Sequence, residues 1–206
     1  YLPLAGSTFK KVYYDENLDR AVSKFIPAED LVVPYSTSDL ETCPNITHVV
    51  KMSLNDLRKR QLSGFYRDIP VIPAQGDSSS VKEELERIDG MYPSNVDYDC
   101  TLLECHVDLD LEGFEEEDEE GEATGIKVPY VVTISQDNGQ ILSIRRNYKE
   151  DDEKKKKIQY FVHYKFLPGF GFYGLGLIHT IGGLSRTATA ALRQLIDAGT
   201  LSNLPA

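Results

Sequence analysis

The end of the chain carries the pattern that most restricts its fold. A strand-like run at residues 159–166 leads through a turn rich in glycine and aromatic residues, 168–176, into a long apolar helix. The apolar positions of this helix advance in alternating steps of four and three residues, the spacing of a seam between helices. These positions are Leu177, Ile181, Leu184, Ala188, Ala191 and Leu195. Because small residues also let a neighbour approach closely, the pattern predicts packing against another copy of the same helix.

Length and composition indicate one or two small soluble domains. The 206 residues are 41% hydrophobic, and no apolar run is long enough to span a membrane. The sequence starts at Tyr1 without a signal segment and stops soon after the helix, at Ala206, so we expect a central segment of a longer protein that is not secreted. The cysteines Cys43, Cys100 and Cys105 lack metal-binding spacing and are typical of free thiols in a reducing compartment.

The charge balance argues against a protein whose main task is to grip nucleic acid. The net charge is -11, whereas neutralising phosphates needs a dense face of lysine and arginine. An acidic surface repels phosphates and lets a duplex slide past without sticking. Acidity therefore leaves open a role in which nucleic acid passes the protein, while a charge that serves only solubility is the simpler interpretation.

The first part of the chain predicts strands joined to a capped helix. Runs at 9–14 and 20–26 alternate in polarity around a short polar turn, which predicts a β-hairpin. A strand at 47–52 runs into Ser53, which is placed to cap a helix that lasts to about Gly64.

The second part of the chain predicts a β layer. Its expected strands are residues 100–111, 127–135, 140–147 and 158–166. An Asp-Asn-Gly sequence at 137–139 is a strong signal for a tight turn between two of them, so sequential antiparallel strands are expected. The predicted fold class is α+β, with mostly antiparallel strands, short peripheral helices and a long C-terminal helix.

These elements predict three regions along the chain. They are a hairpin and short-helix region at 1–98, which is clip-like or wing-like, an antiparallel β layer with acidic and basic loops at 99–167, and a hinge with a long packing helix at 168–206. The loop at 115–122 is almost wholly acidic, while 150–157 joins acidic residues to four lysines. Both loops are expected to be solvated.

A glycine motif in the turn resembles a dinucleotide-binding sequence. Gly169, Gly171 and Gly174 follow a strand and open a helix, as such a turn does. A dinucleotide-binding unit also needs a second parallel strand and an acidic residue for the ribose, and only Asp197 lies near the right distance. The glycines are more simply explained as hinges, and a nucleotide-binding enzyme fragment is the least favoured alternative.

An acidic sequence matches the ligand spacing of a calcium loop. Counted from Asp108, the residues Asp110, Glu112 and Gly113 stand at the third, fifth and sixth positions, and Glu119 stands at the twelfth. Strands rather than helices flank it, and the acidic run supplies a glutamate at almost any offset. A calcium-binding structural or adhesion module is therefore an alternative, with no metal site assigned.

The histidines and cysteines show no catalytic constellation. Cys105 and His106 are adjacent on a strand, so their side chains point to opposite faces. His163 lies among aromatic residues, which favours an ordinary packed histidine, and the remaining histidines are His48 and His179. No catalytic, cofactor-binding or metal-binding residue is predicted.

Several stretches, in order along nearly the whole chain, resemble the podovirus-type (P22-like) bacteriophage portal proteins. They are residues 25–34, 47–53, 103–108, 164–174 and 192–197. The clearest is 164–174, with the sequence YKFLPGFGFYG. Because none is a catalytic signature, the resemblance depends on the number and order of the stretches.

The resemblance implies a structural subunit without enzymatic activity, assembled in the host cytoplasm into the virion. Its homo-oligomeric ring, typically a dodecamer, occupies the unique capsid vertex and forms the channel for packaging and ejecting double-stranded DNA. Its implied partners are the terminase large subunit, the head-tail adaptor protein, and the capsid and scaffold proteins, with no cofactor and no membrane. The present sequence corresponds to the middle of such a subunit.

The turn and the helix together supply the candidate ring contacts. These are Phe170, Phe172, Tyr173, Leu177, Ile181, Leu184, Ala188 and Leu195. Arg186 and Arg193 lie on the polar side of the helix. For each apolar position the competing interpretation is packing inside its own subunit.

Overall fold

The computed structural model describes residues 1–15, 19–71, 88, 99–114 and 124–202. In chain order the described elements are α1 (Leu2–Ala5), β1 (Ser7–Asp15), β2 (Arg20–Ile26), a 3-10 helix (Ala28–Asp30), β3 (Leu31–Val32), β4 (Asn45–Ser53), α2 (Leu54–Leu62), β5 (Asp99–Leu109), β6 (Val128–Ser135), β7 (Ile141–Arg146), β8 (Phe161–Lys165) and α3 (Leu177–Ser202). They belong to two compact units, one formed by Tyr1–Ala28, Thr37–Leu40 and Tyr160–Ala206, the other by Glu29–Ser36 and Glu41–Gln159.

The first unit contains a three-stranded antiparallel sheet with the order β2-β1-β8. The predicted hairpin is confirmed, since β1 and β2 pair from Phe9 opposite Ile26 to Asp15 opposite Arg20. The helix α3 follows the turn after β8 in the same unit.

The strand predicted at 158–166 is present as β8, but its expected place in the β layer is wrong. It pairs with β1, from Ser7 opposite Lys165 to Lys11 opposite Phe161. Side-chain alternation predicts a strand without identifying its partner. Here the partner is set by packing, because this pairing brings His163 against the ring of Phe9.

The second unit contains a five-stranded antiparallel sheet with the order β3-β4-β5-β6-β7. Its central strand pair, β5 and β6, buries side chains on both faces. One face packs Leu102 and Cys100 with Leu57 of α2 and with Tyr66, and the other packs Tyr130 with its neighbours on β6. The sheet therefore has two apolar clusters of its own.

Local signals in the second unit behave as the sequence predicts. The side chain of Ser53 caps α2 by accepting a hydrogen bond of 3.2 Å from the backbone N–H of Asp56. The helix ends before Gly64, whose φ of 77° is easily reached only by glycine. In the turn between β6 and β7, Gly139 has a φ of 65°, and Asn138 Oδ1 accepts a hydrogen bond of 3.0 Å from the backbone N–H of Gln140.

The predicted α+β class is confirmed by the antiparallel sheets and the long C-terminal helix. The predicted division of the chain into regions 1–98, 99–167 and 168–206 stays a prediction. The acidic loop at 115–122 lies outside the described residues.

Candidate functional site

The turn between β8 and α3 is held by close backbone packing. Leu167 and Leu175 form an antiparallel bridge in which the Leu175 N–H donates to the Leu167 carbonyl at 2.7 Å. A Cβ placed on Gly174 would lie 2.5 Å from the carbonyl oxygen of Gly6, and one on Gly176 would meet the carbonyl of Leu4. Glycine is therefore required at 174 and 176 because the backbone after α1 passes directly against this turn.

A buried serine at the start of β1 anchors the turn between β8 and α3. The hydroxyl of Ser7 accepts a hydrogen bond of 2.7 Å from the backbone N–H of Gly174, and it lies 3.1 Å from His163 Nε2. Close to this contact the rings of Phe9 and Phe172 stack, with their centroids 5.8 Å apart, and the His163 ring packs against both. Ser7 is almost fully buried, so its hydroxyl is not accessible as a nucleophile. Its contact with His163 anchors the turn instead.

This environment changes the titration of His163. Burial, together with the nearby charge of Lys165, lowers the pKa of His163 to about 4. The imidazole is therefore neutral at neutral pH, which suits a ring packed between two phenylalanines.

The helix α3 begins where the turn ends. The carbonyl of Gly176 accepts hydrogen bonds from the N–H groups of His179 and Thr180, and the Gly176 N–H donates to His179 Nδ1 at 3.1 Å. Farther along, the hydroxyls of Thr187 and Thr189 donate to backbone carbonyls one turn back. These threonines thus satisfy their polar groups within α3 and leave their methyl groups at its surface.

One side of α3 is a continuous apolar stripe that stands exposed. Six large aliphatic side chains keep between 51% and 72% of their surface open. They are Ile178, Ile181, Leu184, Leu192, Leu195 and Ile196. At 100° per residue these positions, with Ala188 and Ala191, fall on one side of the helix, whereas Arg186 and Arg193 fall on the opposite side. An exposed stripe of this size marks a surface for a partner.

The candidate contact residues divide between exposed and internal positions. Phe170 is fully exposed, Tyr173 is half-exposed and Leu177 is partly buried. Ile181, Leu184, Ala188 and Leu195 lie on the exposed stripe. Phe172, only 7% exposed, packs inside its own unit against Phe9. Contact of the exposed candidates with a neighbouring subunit stays a prediction.

The glycine motif has a structural explanation in this fold. Gly169 and Gly174 lie where a side chain would strike the backbone, at Tyr173 and Gly6 respectively. The preceding strand, β8, belongs to an antiparallel sheet, whereas a dinucleotide-binding unit places its glycine turn between parallel strands. The motif therefore lacks the setting that nucleotide binding needs.

The acidic sequence of the possible calcium loop is only partly described. Asp108 lies near the end of β5, and Glu112 and Gly113 form a turn in which Gly113 has a φ of 82°. Glu119 lies outside the described residues. Across the described ranges, no group of three or more His, Cys, Asp or Glu side chains is arranged to hold a metal ion.

A buried polar pair in the five-stranded sheet was missed by reasoning from sequence. His106 Nε2 lies 2.8 Å from Glu104 Oε1, and their side chains are 3% and 11% exposed. His48 is buried opposite Glu104 on β4. The available signal was the spacing of two residues on one strand, which puts Glu104 and His106 on the same face.

None of the helices in the described part of the chain combines the length and apolarity that a membrane crossing requires.

Comparison with known proteins identifies one matching family model. The model for the phage SU10 portal protein matches residues 8–206. A search of curated proteins gave no match. The family match extends over both compact units and includes the whole of α3.

Proposed function

The chain belongs to the phage SU10 portal protein family, and we propose that it is a subunit of the portal ring at the unique vertex of the capsid. Membership makes it a bacteriophage virion protein with a structural role. In our proposal twelve copies form a ring whose channel passes double-stranded DNA during packaging and ejection. The same ring is the docking site for the terminase large subunit and later for the head-tail adaptor protein, and it contacts capsid and scaffold proteins during assembly.

The observation that carries this proposal is the exposed apolar stripe of α3. A 26-residue helix with six open aliphatic side chains is unfavourable for an isolated subunit in water. A ring supplies the missing cover, because each subunit presents two different surfaces to its two neighbours.

The charge of the chain supports the passage of DNA. At a net charge of -11 the subunit repels phosphates, so a duplex meets little adhesion as it slides. Partner proteins, by contrast, meet exposed strands and charged loops.

The test is the mass of the purified full-length protein, with any residues that precede Tyr1 or follow Ala206, measured by native mass spectrometry beside negative-stain imaging at low and moderate salt. We expect rings of about twelve subunits with a central hole. Monomers or dimers at every concentration would contradict the proposal.

Thermal-shift titrations distinguish the two alternative functions. A nucleotide-binding enzyme would be stabilised by NAD or FAD, and a calcium module by calcium in a manner that a chelator reverses. The portal proposal predicts neither shift.

A further inference from the structure

The three-stranded sheet has one covered face and one face that is open except at one end, where Thr8 is buried and the ring of Tyr1 packs on Phe25. Successive residues of a strand point to opposite sides, so the register assigns each side chain to a face. On the covered side, Phe9 and Ile26 are fully buried and Phe9 packs with Phe172. On the other side, five apolar or aromatic side chains are 40% to 59% exposed. They are Val12, Tyr14, Phe25, Val162 and Tyr164, and we refer to this set as the bare sheet face.

The unit that contains the bare sheet face also contains α3, whose apolar stripe is open. An antiparallel sheet of three strands gains stability when its second face packs on a helix. An amphipathic helix likewise needs an apolar surface opposite its stripe. The two surfaces thus have complementary requirements, and neither covers the other within the chain, because both are exposed.

We propose that the apolar stripe of α3 in one copy packs across the bare sheet face of the next copy. This inference rests on the proposed portal function and names the surfaces that meet in the ring. The partner is therefore a second copy of this chain.

The dimensions of the two surfaces agree. A helix of 26 residues is about 39 Å long, and a strand of nine residues is about 30 Å long. Three strands at about 4.8 Å spacing span about 10 Å, close to the width of one helix with its side chains, about 10 Å.

The available area is also sufficient. Six exposed aliphatic side chains at roughly 100 Å² of apolar surface each offer on the order of 600 Å² on α3. Specific stable interfaces bury roughly 600–1,000 Å² on each partner, so the stripe reaches the lower end of the range that a specific contact needs.

A charged side chain at the centre of the bare sheet face, that of Lys10, is compatible with this packing. Lys10 lies between Phe25 and Val162 in the register, and its Nζ is 5.9 Å from the centre of the Tyr164 ring. Its aliphatic stem adds apolar surface while the ammonium group stays over the aromatic ring at the edge.

Packing of α3 on the sheet explains a ring better than packing of α3 on another α3. Two identical stripes that face each other form a two-fold contact, which closes a dimer and leaves both sheet faces bare. A contact between helix and sheet joins two different surfaces. Each copy has one apolar stripe and one bare sheet face, so a closed ring covers both surfaces of every copy.

Complementation between two variants tests the inference. The sheet variant is Val12→Glu with Val162→Glu, and the helix variant is Leu184→Glu with Leu195→Glu. Ala190→Glu with Gln194→Glu is the matched control, since it adds the same charge to the opposite side of α3. Circular dichroism and thermal melting verify that each protein is folded, and native mass spectrometry measures its assembly.

Each variant alone should remain monomeric, with the concentration needed for assembly raised at least about 100-fold because charges would be buried. A mixture of the two should give 1:1 heterodimers that cannot grow, since one intact helix meets one intact sheet. The control should assemble as the unmodified chain does.

The outcomes also separate this inference from the proposed function. If the unmodified chain forms rings and the sheet variant still assembles, the portal function stands and the helix-to-sheet contact is wrong. A mixture that gives no heterodimer overturns the contact as well. An unmodified chain that stays monomeric at every concentration contradicts both the ring and the contact.

Discussion

The five-stranded sheet and the helix α3 distribute polarity in opposite ways. In the sheet, Glu104 and His106 are buried with their polar atoms 2.8 Å apart. In α3, Leu184 and Leu195 are about 70% exposed. One region therefore places charge-bearing groups inside, and the other places aliphatic groups outside.

The difference shows which region depends on a partner. A buried polar group is tolerated when a nearby group in the same chain satisfies it, and the sheet has such a pair. An exposed aliphatic stripe finds no such compensation among the described residues of its own unit, so we propose that its partner lies outside that unit. We expect substitutions in the sheet to change folding stability and substitutions on α3 to change assembly.

The strongest test of this comparison is Glu104→Ala. Removing the carboxylate takes a hydrogen-bond partner from the buried His106 and leaves unfilled space, which should lower the free energy of unfolding by about 3 kcal/mol. Urea denaturation measures the change. Glu150→Ala is the control, because Glu150 is solvent-exposed and lies 3.9 Å from Arg146, and it should shift the free energy by less than about 0.5 kcal/mol. Similar values for the two variants would show that the buried pair is not a special feature of the sheet.

Two phenylalanines separate internal from external positions within one turn. Phe172→Ala should lower the free energy of unfolding by about 3 kcal/mol, since the ring fills the space beside Phe9. Phe170→Ala removes a fully exposed ring and should change it by less than about 0.5 kcal/mol. Thermal or urea melting of both variants provides the measurement. A large loss in Phe170→Ala would place that ring in the core.

Two glycines test whether backbone packing or helix propensity determines the effect of a glycine-to-alanine substitution on stability. Gly174→Ala should cost about 1–3 kcal/mol because the new Cβ meets the Gly6 carbonyl. Gly182→Ala, inside α3 with open space around it, should raise the stability by about 0.5–1 kcal/mol. Opposite signs in the two unfolding curves support the described turn, and equal losses would contradict it.

The smallest expected effect is the pH dependence due to His163. Its pKa is lowered to about 4 in the folded chain, so between pH 6.5 and 4 the unfolded state binds more protons. Stability should therefore fall as the pH falls through this window, by a modest amount because the ring is partly solvent-exposed. His163→Gln keeps a polar group near Ser7 and should reduce this slope in melting curves between pH 7 and 4. An unchanged slope would assign the acid sensitivity to other groups.

Much of the fold follows from local patterns. The hairpin, the cap at Ser53 and the turn at 137–139 were all predictable, because each depends on alternation or on residues that favour one backbone conformation. The resemblance to podovirus-type portal proteins is confirmed by the family match over residues 8–206.

Other features depend on contacts between residues far apart in the chain. The pairing of β8 with β1 joins residues separated by about 150 positions, and no local signal identifies that partner. Phe170 is exposed and Phe172 is buried, although both belong to the same short aromatic sequence, so local sequence does not distinguish them. Only the position of Phe9 and His163 decides which ring is buried.

The sequence by itself determined the class of the longer strands and of helices α2 and α3, the apolar stripe of α3, the acidic balance and the family. Those properties depend on residue identity and on spacing within single segments. The tertiary structure alone decided the partner of β8, the burial of Glu104 beside His106 and the bare sheet face. Those depend on which distant segments come together, because burial and hydrogen bonding are properties of contacts and not of the residues themselves.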